Sequence, residues 1–167
     1  MNVLELFKPI KIFVFDMDGV ITDGSLLILN DTEWLRKTDI KDGYAMHVAA
    51  ENRYTMVVIS GSRSEPTKKR LYHLGVKDVF MSVPDKKELL KKYMADNNFE
   101  ADTVLYMGDD IPDYDCMNVA GLSCCPADAV QELKQTVKYV SPFNGGHGCV
   151  RDVIEKVLKL NGHWPVK

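Results

Sequence analysis

Residues 13 to 24 read FVFDMDGVITDG, a run of bulky apolar residues that ends in Asp16, Asp18 and Asp23, with glycines at 19 and 24. The apolar stretch Ile12-Phe13-Val14-Phe15 has the pattern of a strand buried on both faces of a parallel sheet. In such sheets ligands collect beyond the carboxyl ends of the strands, so these carboxylates stand where a ligand is expected. Asp16 and Asp18 are two residues apart, and a regular strand would aim both at one side, where like charges repel. A hard divalent cation, Mg2+ before others, resolves that repulsion, because carboxylate and phosphate oxygens suit it. Gly19 lets the chain turn away and leaves Asp18 facing a substrate.

Beyond this stretch, apolar β-type runs alternate with helical patterns, which predicts an α/β fold: a Rossmann-like parallel sheet with helices on both faces. Strands are expected over 10–16, 55–60, 78–81, 103–107, 121–124 and 137–140. Helices are expected over 43–53, 64–74, 85–97, 112–119, 128–134 and 149–160. The segment 25–38 breaks the alternation: an apolar run around Leu26-Leu27-Ile28-Leu29, the polar Asn30-Asp31-Thr32, then Glu33-Trp34-Leu35-Arg36. It reads as a β-hairpin inserted after the first strand. Its leucines and Trp34 need cover that a two-stranded ribbon does not supply, either from its own domain or from a partner subunit.

The 167 residues, 46% hydrophobic and 27% charged, suit one domain over 1–167 with a core of its own. A net charge of −3 excludes a global basic field for nucleic acid or an anionic membrane. Glu5, Lys8 and Lys11 interrupt any signal-like N-terminal run, and no apolar stretch approaches the ~20 residues of a membrane span, so the cytoplasm is expected. Cys116, Cys124, Cys125 and Cys149 lack zinc spacing and read as reduced structural thiols.

Three other places carry chemistry. Val57-Val58-Ile59-Ser60-Gly61 is a strand ending in a small hydroxyl; Lys86 opens a helix after Pro84-Asp85. The third is Gly108-Asp109-Asp110-Ile111-Pro112-Asp113, where a strand delivers two adjacent acids and Pro112 suits a first helical turn. Asp113 there either accepts helix amides or braces a lysine. Each is ordinary alone, but all fall at strand ends or the helix starts that follow, on one edge of the sheet.

In that order the motifs resemble those of the haloacid dehalogenase superfamily of phosphotransferases, carried here by Asp16-Met17-Asp18-Gly19-Val20, Ser60, Lys86 and 108–113. The resemblance implies that Asp16 attacks phosphorus and that Asp18 serves as acid and then base. It implies further that Ser60 bonds a phosphoryl oxygen while Lys86 offsets charge. Mg2+ is implied between Asp16, the Asp18 backbone carbonyl and Asp109, with Asp110 on metal-bound water and Asp113 positioning Lys86. A phospho-accepting switch domain shares the fold and the acids but has no need of Asp18.

The intervals from Asp18 to Ser60 and from Ser60 to Lys86 are too short to hold a cap domain. The resemblance therefore narrows to the capless tetrameric phosphatases of 3-deoxy-ulosonate sugars, through 16–24, 40–44, 75–78, 106–110 and Gly145-Gly146-His147-Gly148 with Arg151-Asp152. It is nearest to those acting on 3-deoxy-D-manno-octulosonate 8-phosphate, a lipopolysaccharide sugar, with a nine-carbon ulosonate 9-phosphate as the alternative. It implies a homotetramer whose hairpin reaches a neighbour's site, and substrate contacts from Asp18, Asp39-Ile40-Lys41-Asp42-Gly43, Arg70 and Lys86. Lys41, Arg63 and Arg70 are candidate cations for a substrate with a carboxylate and a phosphate, and Gly61 and His47 complete the expected set. The chain departs from those relatives in having Ser62 and His47 where arginine is common. The turn 145–148 is expected to act as a lid or inter-subunit element.

Overall fold

The computed structural model describes residues 2–166. Its centre is the stretch quoted above: Ile12–Phe15 forms β1, fully buried, between two parallel neighbours. Eight strands follow the chain order β1, β2 Leu27–Ile28, β3 Trp34–Leu35, β4 Thr55–Ile59, β5 Asp78–Phe80, β6 Val104–Met107, β7 Leu122–Cys125 and β8 Tyr139–Val140. Six of them make a parallel sheet in the order β5-β4-β1-β6-β7-β8, and β2 and β3 pair separately as an antiparallel hairpin.

Six α-helices connect the sheet: α1 Ile40–Glu51, α2 Glu65–His73, α3 Lys86–Asp96, α4 Tyr114–Met117, α5 Gln131–Thr136 and α6 Cys149–Leu160. The chain winds from β1 out to β5 and returns through α3 to β6 on the other side. Phe13 and Phe15 of β1 pack with Ala45, Met46 and the apolar face of α6, whereas Ile12 and Val14 pack with Leu90, Met117 and Leu133 from α3, α4 and α5. Alternate side chains of one strand thus feed two apolar layers, which is why the strand reads as continuously hydrophobic. The reversal of direction beside β1 makes its carboxyl end the switch point of the sheet, where the crevice opens.

Several elements differ from the sequence expectation at their ends. Helix α1 starts three residues early because Asp39 caps it, accepting Lys41 N–H at 2.7 Å and Asp42 N–H at 3.1 Å, so Gly43 lies inside the helix. Helix α5 starts late because Asp128 accepts Gly145 N–H at 2.9 Å instead of capping. The helix expected over 112–119 is a 3₁₀ turn, Ile111–Asp113, followed by the single turn of α4. The hairpin strands are two residues each, with Asn30 accepting Thr32 and Glu33 amides across the turn. The four cysteines are buried and free. Among the described residues no helix is long and apolar enough to cross a membrane.

Candidate active site

The register of β1 with its neighbours pairs Phe15 with Val58 and Met107, so Asp16 emerges one residue before the level of Ser60 and Asp109. Asp16 N–H donates to Met107 O at 2.9 Å, which keeps the acid tied to the sheet after the strand ends. Its Oδ1 accepts Met17 N–H at 2.7 Å and Lys86 Nζ at 2.9 Å. Lys86 arrives as the first residue of α3, whose cap Asp85 accepts Glu88 N–H. The same ammonium donates to Asp113 Oδ1 at 2.9 Å. Asp113 also accepts Tyr106 Oη–H at 2.6 Å and the Asp109 amide at 3.1 Å. Tyr106, Lys86 and Asp113 are all buried, so this is a closed internal network, with its lone pairs matched by donors.

Met17–Ile21 forms one wide turn that swings the chain away from the sheet, and Gly19 there has φ +83°. A Cβ at Gly19 would stand 1.9 Å from Asp109 Oδ2, so only glycine lets the first loop approach the carboxylate delivered by β6. The turn 145–148 braces the same loop from behind: Gly146 N–H donates to Val20 O at 2.9 Å, and a Cβ on Gly145 would meet Gly19 O at 1.8 Å. That turn, expected as a lid or inter-subunit element, packs directly against the loop of its own chain.

Asp16, Asp109 and Asp113 bring carboxylate oxygens within 4.8 Å of one another. Burial pushes Asp16 well above the usual carboxylate range, helped by Asp113 and opposed by Lys86. Burial also raises Asp109, to about 6, with Asp113 adding to it. Burial alone would lower Lys86, but Asp16 and Asp113 outweigh it and hold the ammonium charged. Three acids around one lysine leave a deficit of positive charge, and the donors present are hard oxygens, so the set fits a divalent cation such as Mg2+. Asp113 is already engaged by Lys86, Tyr106 and backbone amides, which leaves Asp16 and Asp109 as the better ligands.

Asp18 belongs to the turn Met17–Ile21 and has its own set of partners. Its carboxylate accepts Arg36 Nε–H at 2.7 Å and Ser62 Oγ–H at 2.5 Å. Ser62 N–H donates to Ser60 Oγ at 3.1 Å, which ties the end of β4 to the same cluster. Asp110 caps the turn Ile111–Asp113 through its Oδ1 and stands at the surface edge of the acids.

The expected substrate residues separate into several places. Asp42, expected against a substrate, turns inward instead, is 2% exposed, and accepts Gly148 N–H at 3.2 Å and Arg151 N–H at 2.8 Å. The start of α6 leaves amides without intrahelical partners and a positive dipole end, and Asp42 is drawn in to take up two of those amides. Asp39 is spent on capping α1; Lys41 lines, with Asp39, His147 and Arg151, a cavity of about 490 Å³. Gly43 is buried under Arg70, whose Nη2 would stand 3.1 Å from a Cβ there, and Ile40 is 78% exposed. His47 faces solvent and meets Glu51 at 3.2 Å. Gly61 is exposed beside Ser60, and Arg63, also exposed, pairs with Glu65 at 3.1 Å. A second cavity, about 440 Å³, lies between the hairpin and the start of α2, lined by Trp34, Arg36 and Arg63 among others. Neither cavity includes Asp16 or Lys86, as suits a shallow, uncapped sheet edge.

Sequence reasoning missed Arg36, Tyr106 and Ser62. A tyrosine inside a fully buried strand was a usable signal, since its hydroxyl must find a partner. Arg36 directly follows the exposed Trp34-Leu35 pair, but its partner lies eighteen residues away and carries no local mark.

With this geometry in place, comparison with known proteins is direct. The pattern of the haloacid dehalogenase-like hydrolases matches residues 71–154. The chain belongs to that family and is a phosphomonoester hydrolase of its capless kind, which sets aside a switch domain. Its near relatives are more particular. The 3-deoxy-D-manno-octulosonate 8-phosphate phosphatase of Yersinia pestis is 30% identical over 165 residues, covering 96% of this chain and 88% of the relative. A structure of a putative 3-deoxy-D-manno-octulosonate 8-phosphate phosphatase from Vibrio cholerae superimposes with a TM-score of 0.93 at 30% identity, over 99% of this chain and 93% of the other. The cobalt-bound deoxy-D-mannose-octulosonate 8-phosphate phosphatase from Haemophilus influenzae gives a TM-score of 0.89 at 28% identity, over 94% of this chain and 92% of the other.

Proposed function

We propose that the protein is a Mg2+-dependent phosphatase that hydrolyses 3-deoxy-D-manno-octulosonate 8-phosphate to the free sugar acid and phosphate. The observation that carries this reading is the Lys86 ammonium held 2.9 Å from both Asp16 and Asp113, with Asp109 alongside, in a chain aligned nearly end to end with relatives of that name. Asp16, the Asp18 backbone carbonyl and Asp109 would hold the Mg2+, with Asp110 orienting water at that site, and the ion would supply charge neutralisation for the transferring phosphoryl group.

The chain's own residues do the rest. Oδ1 of Asp16 is engaged by Met17 N–H and Lys86, which fixes the carboxylate and leaves Oδ2 to attack phosphorus. As the phosphorus–oxygen bond to the sugar breaks, Asp18, protonated for this step with the Ser62 hydroxyl accepting rather than donating, gives its proton to the departing alkoxide. Asp18 then takes a proton from the water that attacks the aspartyl phosphate, and Asp16 is restored as inorganic phosphate leaves. Ser60 donates to a phosphoryl oxygen, and Lys86 offsets charge gathered on Asp16 and the phosphate. Lys41, Arg63 and Arg70 lie outside this cluster, and their share in binding the sugar acid depends on how the uncapped edge is closed.

Closure comes from a second copy: the exposed leucines and Trp34 of the hairpin pack on a neighbouring subunit of a cytoplasmic homotetramer. The test is phosphate release from a panel of sugar phosphates with and without Mg2+, comparing kcat/KM for the eight-carbon 8-phosphate and the nine-carbon 9-phosphate. The eight-carbon substrate is expected to win. Asp16→Asn is expected to lose at least ~10³-fold in kcat, and equal rates for variant and wild type would overturn the reading.

A further inference from the structure

The hairpin brings to the proposed active site a charge that its two strands do not need for folding. Arg36 directly follows β3, yet its side chain is 3% exposed, while Trp34 and Leu35 before it face solvent. Its Nε donates to Asp18 Oδ1 at 2.7 Å, and its Nη2 lies 3.4 Å from Asp18 Oδ2 and 3.4 Å from Ser62 Oγ. Ser62 Oγ–H donates to Asp18 Oδ2 at 2.5 Å, and Thr22 Oγ1–H reaches Asp18 Oδ1 at 3.4 Å. Two guanidinium N–H groups and two hydroxyls therefore converge on one carboxylate, which fixes its plane and direction.

Anchoring the hairpin does not account for this arrangement. The hairpin's base is already joined to the first loop through the backbone, by the antiparallel bridge of Thr22 with Thr38 and by Asp23 N–H to Lys37 O. An apolar side chain at position 36 would fill the same space without the cost of taking a guanidinium out of water. What the guanidinium alone supplies is a forked, charged grip on Asp18.

We propose that Arg36 is the positioning residue for Asp18, so that the hairpin sets where the proton-transfer carboxylate stands. This rests on the reading of Asp18 as acid and base. Ser62, whose hydroxyl takes up the second Asp18 oxygen and whose amide contacts Ser60, relays the same placement to the phosphoryl-binding hydroxyl. Without Arg36, Asp18 is held by hydroxyls only and samples other rotamers, so fewer encounters have it aimed at the leaving oxygen.

The consequence depends on the leaving group. A sugar alkoxide needs a proton as it departs, whereas p-nitrophenolate leaves without one, so a group acting through Asp18 matters for the first substrate and little for the second in kcat/KM. Arg36→Gln, Arg36→Lys and Asp18→Asn are assayed on p-nitrophenyl phosphate and on the alkyl phosphate the enzyme hydrolyses fastest, each variant checked for wild-type melting. General acid–base groups supply ~10²–10⁴-fold, and the positioning share expected here is about tenfold. Arg36→Gln should lose about tenfold in kcat/KM on the alkyl phosphate and less than about threefold on the aryl one, with Arg36→Lys in between. Equal losses on both substrates, or none on either, overturn the inference while Asp18→Asn still shows the split. If Asp18→Asn also loses equally on both, the acid–base reading falls first and the inference with it.

Discussion

Two regions of this molecule hold side chains where simple partitioning would not put them. At the carboxyl edge of the sheet, charges are inside: Lys86 is 8% exposed and Asp113 1%. On the hairpin, hydrocarbon is outside: Leu27, Ile28 and Trp34 are 61%, 62% and 49% exposed. The first region is settled within the chain, because every buried side-chain nitrogen or oxygen among the described residues has a partner. The second is not settled within the chain. Charge can be matched by a few well-aimed donors brought from distant elements, but hydrocarbon is matched only by area, and a ribbon with two residues per strand has too little of its own. The contrast separates what the chain completes by itself from what it leaves exposed.

The largest effect should follow from removing the cation of the first region. Lys86→Met keeps length and packing but leaves Asp16 and Asp113 buried without the ammonium that both contact. Breaking a buried pair in this way costs about 3–5 kcal/mol. Chemical denaturation in the presence of a chelator measures it, since a bound divalent ion would replace part of the lost charge. A loss below about 1 kcal/mol would mean that the network is wetter than its burial suggests, and the contrast between the two regions would weaken.

That network also shows where reading the sequence succeeds. The placement of Asp16, Lys86 and Asp109 together was legible because each is marked locally: an apolar strand before it, a glycine, proline or cap beside it, and a shared parallel edge. The six sheet strands follow from the same local marks. Arg36 and the inward turn of Asp42 were not legible, because each is decided by what packs opposite. Asp42 meets Arg151 N–H across 109 positions, and no window of sequence contains both. The segment Asp39-Ile40-Lys41-Asp42-Gly43 therefore read as a string of ligands, when one of its acids caps its own helix and the other takes up amides at the start of another.

Asp42 sharpens the comparison from inside, as a buried acid with amides around it but no lysine. Burial raises it from 3.8 to about 6, against the lowering effect of the Arg151 and Gly148 amides. Its folded-state value lies above its unfolded one, so between these values the folded protein binds more protons than the unfolded chain. Stability from this group is thus greatest at low pH, falls as pH rises through about 6, and is flat above. Relative to Asp42→Asn, which has no such titration, wild type should lose about 2 kcal/mol between about pH 4.5 and about pH 7.5. Urea midpoints of the two proteins at both values measure it, and a difference constant with pH would show that Asp42 is solvated or charge-paired after all.

The smallest effect on the folded chain itself should come from the hairpin, and its smallness carries the information. Ile28 makes its cross-strand pair with Trp34, and both are exposed, so Ile28→Asp removes little buried area from the monomer. Surface substitutions of this kind usually stay within about 0.5 kcal/mol. If a second copy covers the hairpin, the same change places a charge in an apolar interface, and the assembly should dissociate while unfolding of the separated chains is unchanged. Sedimentation of wild type and variant over a range of concentrations, with melting measured on the dissociated form, reads both quantities. Dissociation with intact chain stability leaves the hairpin as a surface completed only by assembly. A variant that unfolds more easily as a monomer would mean that the ribbon is packed on its own domain, and the two regions would then obey one rule.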